Sequence, residues 1–306
     1  MHGAGFAERA EAAYLGFALG DALGATVEFL TPGEIRHQYG VHRDIRGGGW
    51  LRLKSGAVTD DTTMSLALGN AIIADEGEVT ALSAARAFDA WMRTKPVDIG
   101  NTVRRNLVRF RQVGEPVAPP SEHDAGNGAL MRVLPVAIAT LGRAPSVVAS
   151  AIRAQAHVTH HNVQSDAACD AFVDALQAVF LGAGIEAVQQ RADALAAAHP
   201  VFAWRGRRRE QPSGYVVDTV QAVWQALFEH DSFEAVLVDV VNRGGDADTT
   251  GALCGMLAGA RYGVDALPRR WLKALDPVIR ERCREQALRL VAYGNVREQS
   301  RESVPV

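Results

Sequence analysis

The stretch FAERAEAAYLGFALGDALGA, from Phe6 to Ala25, decides how this chain folds. Within it Tyr14, Leu15, Ala18, Leu19, Ala22 and Leu23 recur at steps of three and four residues, so they form one apolar stripe along a helix. The same spacing predicts helices over about 62–75, 81–94, 129–141, 146–157 and 165–181. Others are expected over about 185–198, 215–229, 250–262 and 277–293. Strand-like alternation is scarce, and the apolar run 236–241 reads equally well as buried helix. The fold class expected is therefore all-α.

Outward from these helices, the connections at Thr31-Pro32-Gly33, Gly47-Gly48-Gly49, 114–120 and 205–214 are rich in glycine and proline. None is long enough for an interdomain linker, and no internal repeat is visible, which disfavours a solenoid. One compact multi-helix domain over 1–306 is expected, with a polar tail from 296 that frays. The chain has 306 residues, 48% hydrophobic and 22% charged, enough to bury one large core and too apolar for a disordered protein. A net charge of −3 supplies no basic field for nucleic acid. Cys169, Cys254 and Cys283 are far apart, which argues against a disulfide framework or a cysteine-rich zinc site and fits a reducing cytoplasm. No apolar run precedes Glu8 and Arg9, so no signal peptide is expected. No stretch has the roughly 18 uninterrupted apolar residues of a membrane span.

Two segments stand out chemically. Thr59-Asp60-Asp61-Thr62 precedes one amphipathic helix, and Gly244-Gly245-Asp246-Ala247-Asp248-Thr249-Thr250 leads into another. Each alone is explained by helix capping, since a helix N-terminus favours negative charge. Together they supply four carboxylates and threonine hydroxyls with neither sulfur nor imidazole, a donor set suited to hard cations such as Mg²⁺ or Mn²⁺. Four carboxylates are enough for a pair of such ions.

Other candidates have plainer alternatives. Glu28 follows the first helix within Gly20-Asp21-Ala22-Leu23-Gly24…Glu28, where exposure to water would suffice to explain it. Asp98, in Pro96-Val97-Asp98-Ile99-Gly100-Asn101, could simply cap the next helix. Gly126-Asn127-Gly128-Ala129 opens a helix whose amides could receive phosphate, or is a plain turn. His157, His160 and His161 lack the zincin glutamate and read as helix-terminal or stacking histidines. The doublets His123-Asp124 and His230-Asp231 hint at a helical metal phosphohydrolase but need no explanation among nine histidines. The run Arg205-Gly206-Arg207-Arg208-Arg209 reads as a solvated loop before a contact for an acidic partner.

Taken in order, Gly-Asp-Ala-Leu-Gly with Glu28, Thr-Asp-Asp-Thr, Asp-Ile-Gly, Gly-Asn-Gly-Ala-Leu-Met-Arg, Thr-His and Gly-Gly-Asp-Ala-Asp-Thr resemble the ADP-ribosylglycohydrolase family over about 14–263. The resemblance implies an all-α fold around two divalent cations, Mn²⁺ or Mg²⁺, with Thr59, Asp60, Asp61, Asp246, Asp248 and Thr249 as ligands. It implies Glu28 near the metals and Asp98, Gly100 and Asn101 at the proximal ribose. Gly126, Asn127, Gly128 and Ala129 correspond to a pyrophosphate loop, His160 to the adenosine side, and Tyr215 to the ribose and leaving group. Thr159-His160-His161 lacks the proline many relatives carry after the histidine, which bears on the local loop shape.

Length and the Asp98-Ile99-Gly100-Asn101-Thr102 segment are most like the bacterial branch that acts on dinitrogenase reductase. That likeness implies hydrolysis of ADP-ribose from a protein arginine, with Asp98, or else Glu28, assisting proton transfer. It also implies a PII-type signalling protein as regulator and, through it, reversible membrane association by an ammonium transporter. Hydrolysis of serine-linked ADP-ribose or of ADP-ribose esters, and non-catalytic ADP-ribose binding, stay open as alternatives.

Overall fold

The computed structural model describes residues 5–294; the expected frayed tail from 296 lies outside them. The described residues form fourteen α-helices and no strand. In chain order these are α1 (Phe6–Gly24), α2 (Pro32–Tyr39), α3 (Asp60–Ala74), α4 (Ala81–Arg93), α5 (Asn101–Val113), α6 (Leu134–Ala139) and α7 (Pro145–Ala156). There follow α8 (Val163–Phe180), α9 (Ile185–Ala198), α10 (Val216–Glu229), α11 (Phe233–Val241), α12 (Ala247–Tyr262), α13 (Arg269–Ala274) and α14 (Pro277–Val291). The ambiguous run 236–241 is thus helical. No helix among the described residues is long and apolar enough to cross a membrane.

At the centre α1 lies antiparallel to α12, and both are buried almost throughout. Glycines set their separation. A Cβ on Gly16 would stand 2.2 Å from the Gly255 carbonyl oxygen, one on Gly20 2.0 Å from that of Gly251, and one on Gly24 2.1 Å from that of Ala247. From the other side, a Cβ on Gly259 would meet the Ala12 oxygen at 2.2 Å. Backbone therefore packs on backbone over three turns, and this register brings the end of α1 beside the start of α12. The apolar stripe predicted for α1 is better described as an apolar sheath, because α3, α8 and α14 cover its remaining faces.

Two local expectations are corrected. The helix predicted over 129–141 is instead a 3-10 turn, Leu130–Arg132, followed by the six-residue α6. Pro135, in the first turn of α6, has no N–H to donate and its ring would clash with the carbonyl one turn back, so the helix restarts there. Thr31-Pro32-Gly33, read as a connection, starts α2. Thr31 and Glu34 form a reciprocal capping box, with Pro32 as the first helical residue.

Candidate active site

The cleft begins where α1 ends. Asp21, fully buried in its last turn, accepts hydrogen bonds from the backbone N–H of Thr59 (2.9 Å) and of Thr62 (3.1 Å), and from the Thr62 hydroxyl. It thus serves the α3 N-terminus from another helix, where Thr59 is the N-cap. The capping duty expected of Asp60 and Asp61 is met elsewhere, and both carboxylates are free for other work. The same holds at α12. Asp246 occupies the N-cap position but makes no capping bond; its carboxylate instead accepts from Asn127 Nδ2.

Asp61 joins the two helix starts. Its Oδ2 accepts from the Thr59 hydroxyl at 3.3 Å and from the Thr249 hydroxyl at 3.2 Å, while its Oδ1 is buried with no partner. Carboxylate oxygens of Glu28, Asp246 and Asp248 lie within 4.8 Å of one another. These groups line a cleft of about 350 Å³ that also includes Asp60, Asp98, Gly100, Asn101, Gly126, Asn127, Gly128, His160 and Thr249. Its described lining has six carboxylates and no lysine or arginine.

Burial of so much like charge raises the carboxyl pKa values. Desolvation, with help from Asp98, Asp21 and Asp246, pushes Asp60 up to about 7. Glu28 rises to about 8, again through desolvation, which outweighs the hydrogen bond from Trp50 and is reinforced by Asp246, Asp98 and Asp60. Asp61 and Asp248 are held well above the usual carboxylate range by desolvation and their acidic neighbours. Such a cluster is stable as anions only with cations among them. The oxygen-only donors, the orphaned Asp61 Oδ1 and the convergent carboxylates all fit hard divalent ions.

The opposite wall is built from two chain segments joined by backbone hydrogen bonds, Val216 N to Ala125 O (2.9 Å) and Asn127 N to Gly214 O (3.0 Å). His160 packs against it so closely that a Cβ on Gly128 would stand 2.6 Å from its Cε1. Burial, with Arg132 and Arg105 nearby, pushes His160 down to about 3, so its ring is neutral. Asp98, half-buried, takes the Ile99 N–H at 2.7 Å and does not cap α5, whose N-cap is Gly100.

Three of the sixteen expected site residues do not line the cleft. Thr59 is buried behind it, and Ala129 is buried in the turn, its carbonyl bonded to Gln155. Tyr215 is partly exposed, with its hydroxyl donating to Gln164. The histidine–aspartate doublets are separate features: Asp124 binds Arg105 and Asn106, whereas His230 faces Asp239. Three arginines of the arginine-rich loop are paired within the chain, Arg205 with Asp193, Arg208 with Glu210, Glu229 and Asp239, and Arg209 with Gln221. Sequence reasoning missed Asp21 and Trp50. Asp21 stands inside a motif already singled out, but its partner lies 38 residues away; Trp50 carried no local signal.

The sequence profile described as ADP-ribosylglycohydrolase matches residues 3–300. The chain is 48% identical over 296 residues to the ADP-ribosyl-[dinitrogen reductase] glycohydrolase of Rhodospirillum rubrum, covering 97% of this chain and 100% of that protein. It is 32% identical to the ADP-ribosylarginine hydrolase Tri1 of Pseudomonas putida (strain GB-1), over 87% of this chain and 74% of that one. A solved structure described as an ADP-ribosylglycohydrolase-related protein complex superposes with a TM-score of 0.84 at 34% identity, covering 95% of this chain and 99% of its own.

Proposed function

From a chain that belongs to the ADP-ribosylglycohydrolase family, we infer a metal-dependent hydrolase that removes ADP-ribose from a modified protein arginine. We take dinitrogenase reductase as its protein substrate and residues 1–306 as one working domain. The observation that carries this reading is the convergence of six carboxylates and the Gly126–Gly128 wall on one cleft. It is supported by 48% identity along the full length of a relative named for that reaction.

In this reading Asp60, Asp61, Asp246, Asp248 and Thr249, with Thr59 behind Asp61, would hold two divalent cations, Mn²⁺ or Mg²⁺. Such ions, when bound, fix ribose hydroxyls and make a water more acidic. The protein's own groups do the rest. Cleaving an N-glycosidic bond builds positive charge on the ribose, and carboxylates facing the ring favour that charge in the transition state. Asp98 contacts the reacting ribose and moves the proton that lets the guanidine leave neutral; Glu28 is the second candidate for that transfer. Gly100 and Asn101 hold the proximal ribose. Gly126, Asn127 and Gly128 would bring bare backbone to the pyrophosphate, with Ala129 closing the turn behind them, and neutral His160 would offer its ring on the adenosine side. Tyr215 is assigned to the ribose and leaving group by its position in the sequence alone; its hydroxyl donates to Gln164. On kinship with the nitrogen-fixation enzyme alone, a PII-type protein regulates the chain and brings it reversibly from the cytoplasm to a membrane ammonium transporter.

The test is incubation with Mn²⁺ and peptides carrying ADP-ribose on arginine or on serine. Release from arginine alone, abolished by chelation, is expected. Release from serine at an equal rate would reassign the substrate, and tight ADP-ribose binding without release from either would make the protein a binder.

A further inference from the structure

The three-glycine run Gly47-Gly48-Gly49 has no part in the function so far. All three residues have left-handed backbones, as does Arg52 (φ 54°), and Gly48 and Leu53 exchange backbone hydrogen bonds of 2.8 and 2.9 Å. The result is a tight hairpin. It presses on the turn after α1: a Cβ on Gly49 would stand 2.5 Å from the Ala25 carbonyl oxygen. Glycine is required there by both the backbone conformation and the close approach.

The hairpin delivers Trp50. Its indole N–H donates to Glu28 Oε2 at 2.7 Å, and its ring lies against Phe29, with centroids 5.4 Å apart. Both rings are mostly exposed, Trp50 at 52% and Phe29 at 63%, so burial of apolar area does not explain them. Phe29 also has a left-handed backbone (φ 63°), a conformation that bulky residues rarely adopt. It is held by Phe29 N to Gly245 O (2.7 Å) and Gly245 N to Leu30 O (3.0 Å), which tie this turn to the segment leading to Asp246.

Glu28 needs such a hold. Its carboxyl is buried near those of Asp246 and Asp248, and desolvation, joined by like charge once the group ionises, favours a rotamer turned out to water. Among the described residues the Trp50 indole is the one side chain that donates to it. The geometry points to Trp50 as a positioning residue for the hydrolysis, holding the Glu28 carboxylate in the cleft by its indole N–H. This rests on the glycohydrolase reading for its kinetic consequence but not for its structural one.

Trp50→Phe keeps a ring against Phe29 and removes the donor. It is expected to lower kcat on an arginine-ADP-ribosylated peptide by about ten- to a hundredfold, the range for a hydrogen bond to a charged group. KM and the affinity for ADP-ribose should change far less. In a Glu28→Gln background the same substitution should cost little further rate, because it acts through Glu28. A crystal structure of Trp50→Phe should show Glu28 turned away from Asp246 and Asp248. Full kcat, an equal loss in both backgrounds, or Glu28 unmoved in the crystal would each overturn the assignment. If the wild-type protein releases no ADP-ribose, the reaction is misassigned, and the position of Glu28 in the variant crystal still decides the role of Trp50.

Discussion

The α1–α12 contact and the cleft at its end are adjacent and are built on opposite terms. Along the contact, glycines let two backbones touch, with no charge and no room for a methyl group. In the cleft, carboxylates crowd together with their pKa values raised, so the free protein holds charge it would be more stable without. One region supplies rigidity and register; the other uses that register to keep repelling groups in place. The difference teaches that stability and activity here belong to neighbouring but separable sets of residues.

The largest effect should come from the contact. Gly20→Val would drive side-chain atoms into the Gly251 carbonyl, which a Cβ alone meets at 2.0 Å. Since a domain's whole stability is about 5–15 kcal/mol, and overpacking on backbone is among the most damaging changes, no cooperatively folded protein is expected by circular dichroism. A normal melt would mean that the helices part easily and that the register is set elsewhere.

In the cleft the expected damage is kinetic. Asp98→Asn keeps shape and removes charge, and single-turnover hydrolysis should slow by about 10² to 10⁴, or about 3 to 5 kcal/mol of barrier. Thermal stability and ADP-ribose affinity should hardly move, because Asp98 caps no helix. A variant that melts earlier yet turns over normally would place Asp98 on the structural side of the comparison.

How far these two regions were legible in the sequence follows from how local each signal is. The acidic segments could be read because carboxylates and threonines at a helix mouth are written within four to seven consecutive residues, and thirteen of sixteen expected site residues do line the cleft. Helix α1 was legible from its period, yet the glycines at 16, 20 and 24 said nothing until α12 supplied carbonyls opposite them. Asp21 was hidden for the same reason, since its donors are on α3. The break at Pro135 and the capping box at Thr31 were local signals and could have been read. The place of Tyr215 could not be read locally, because the residue that its hydroxyl meets, Gln164, lies 51 positions away.

A smaller effect sharpens the electrostatic half of the contrast. Asp21, Asp60 and Glu28 are pushed up to about 6, 7 and 8, chiefly by burial. A carboxyl raised above its unfolded value of about 4 adds stability that is fully present below that value and is lost as pH rises through the folded one. The metal-free protein should therefore lose stability progressively from about pH 4 to about pH 8, and Mn²⁺ should restore it by replacing protons. Differential scanning calorimetry should show the Mn²⁺-induced rise in Tm growing with pH over this range. A rise independent of pH would mean that the ions bind away from these carboxylates.

The smallest effect is a control on the glycines. Gly33 is an exposed position in α2, where an added Cβ would come no closer than 3.7 Å, to the Thr31 hydroxyl. Gly33→Ala should stabilise by up to about 1 kcal/mol, opposite in sign to any substitution at Gly20. Equal destabilisation at both positions, in urea titrations, would show that contact geometry is not what distinguishes them.

The central claim is that the two acidic helix mouths form one metal centre on which hydrolysis depends, and Asp61 is the residue that joins them through Thr59 and Thr249. The most direct measurement is Mn²⁺ stoichiometry, by titration calorimetry and electron paramagnetic resonance, on the wild-type and Asp61→Ala proteins, read beside ADP-ribose release from arginine-ADP-ribosylated dinitrogenase reductase. Two ions and release are expected for the wild type, with at least one ion and nearly all release lost in the variant. Full metal occupancy in Asp61→Ala with activity intact would contradict the account.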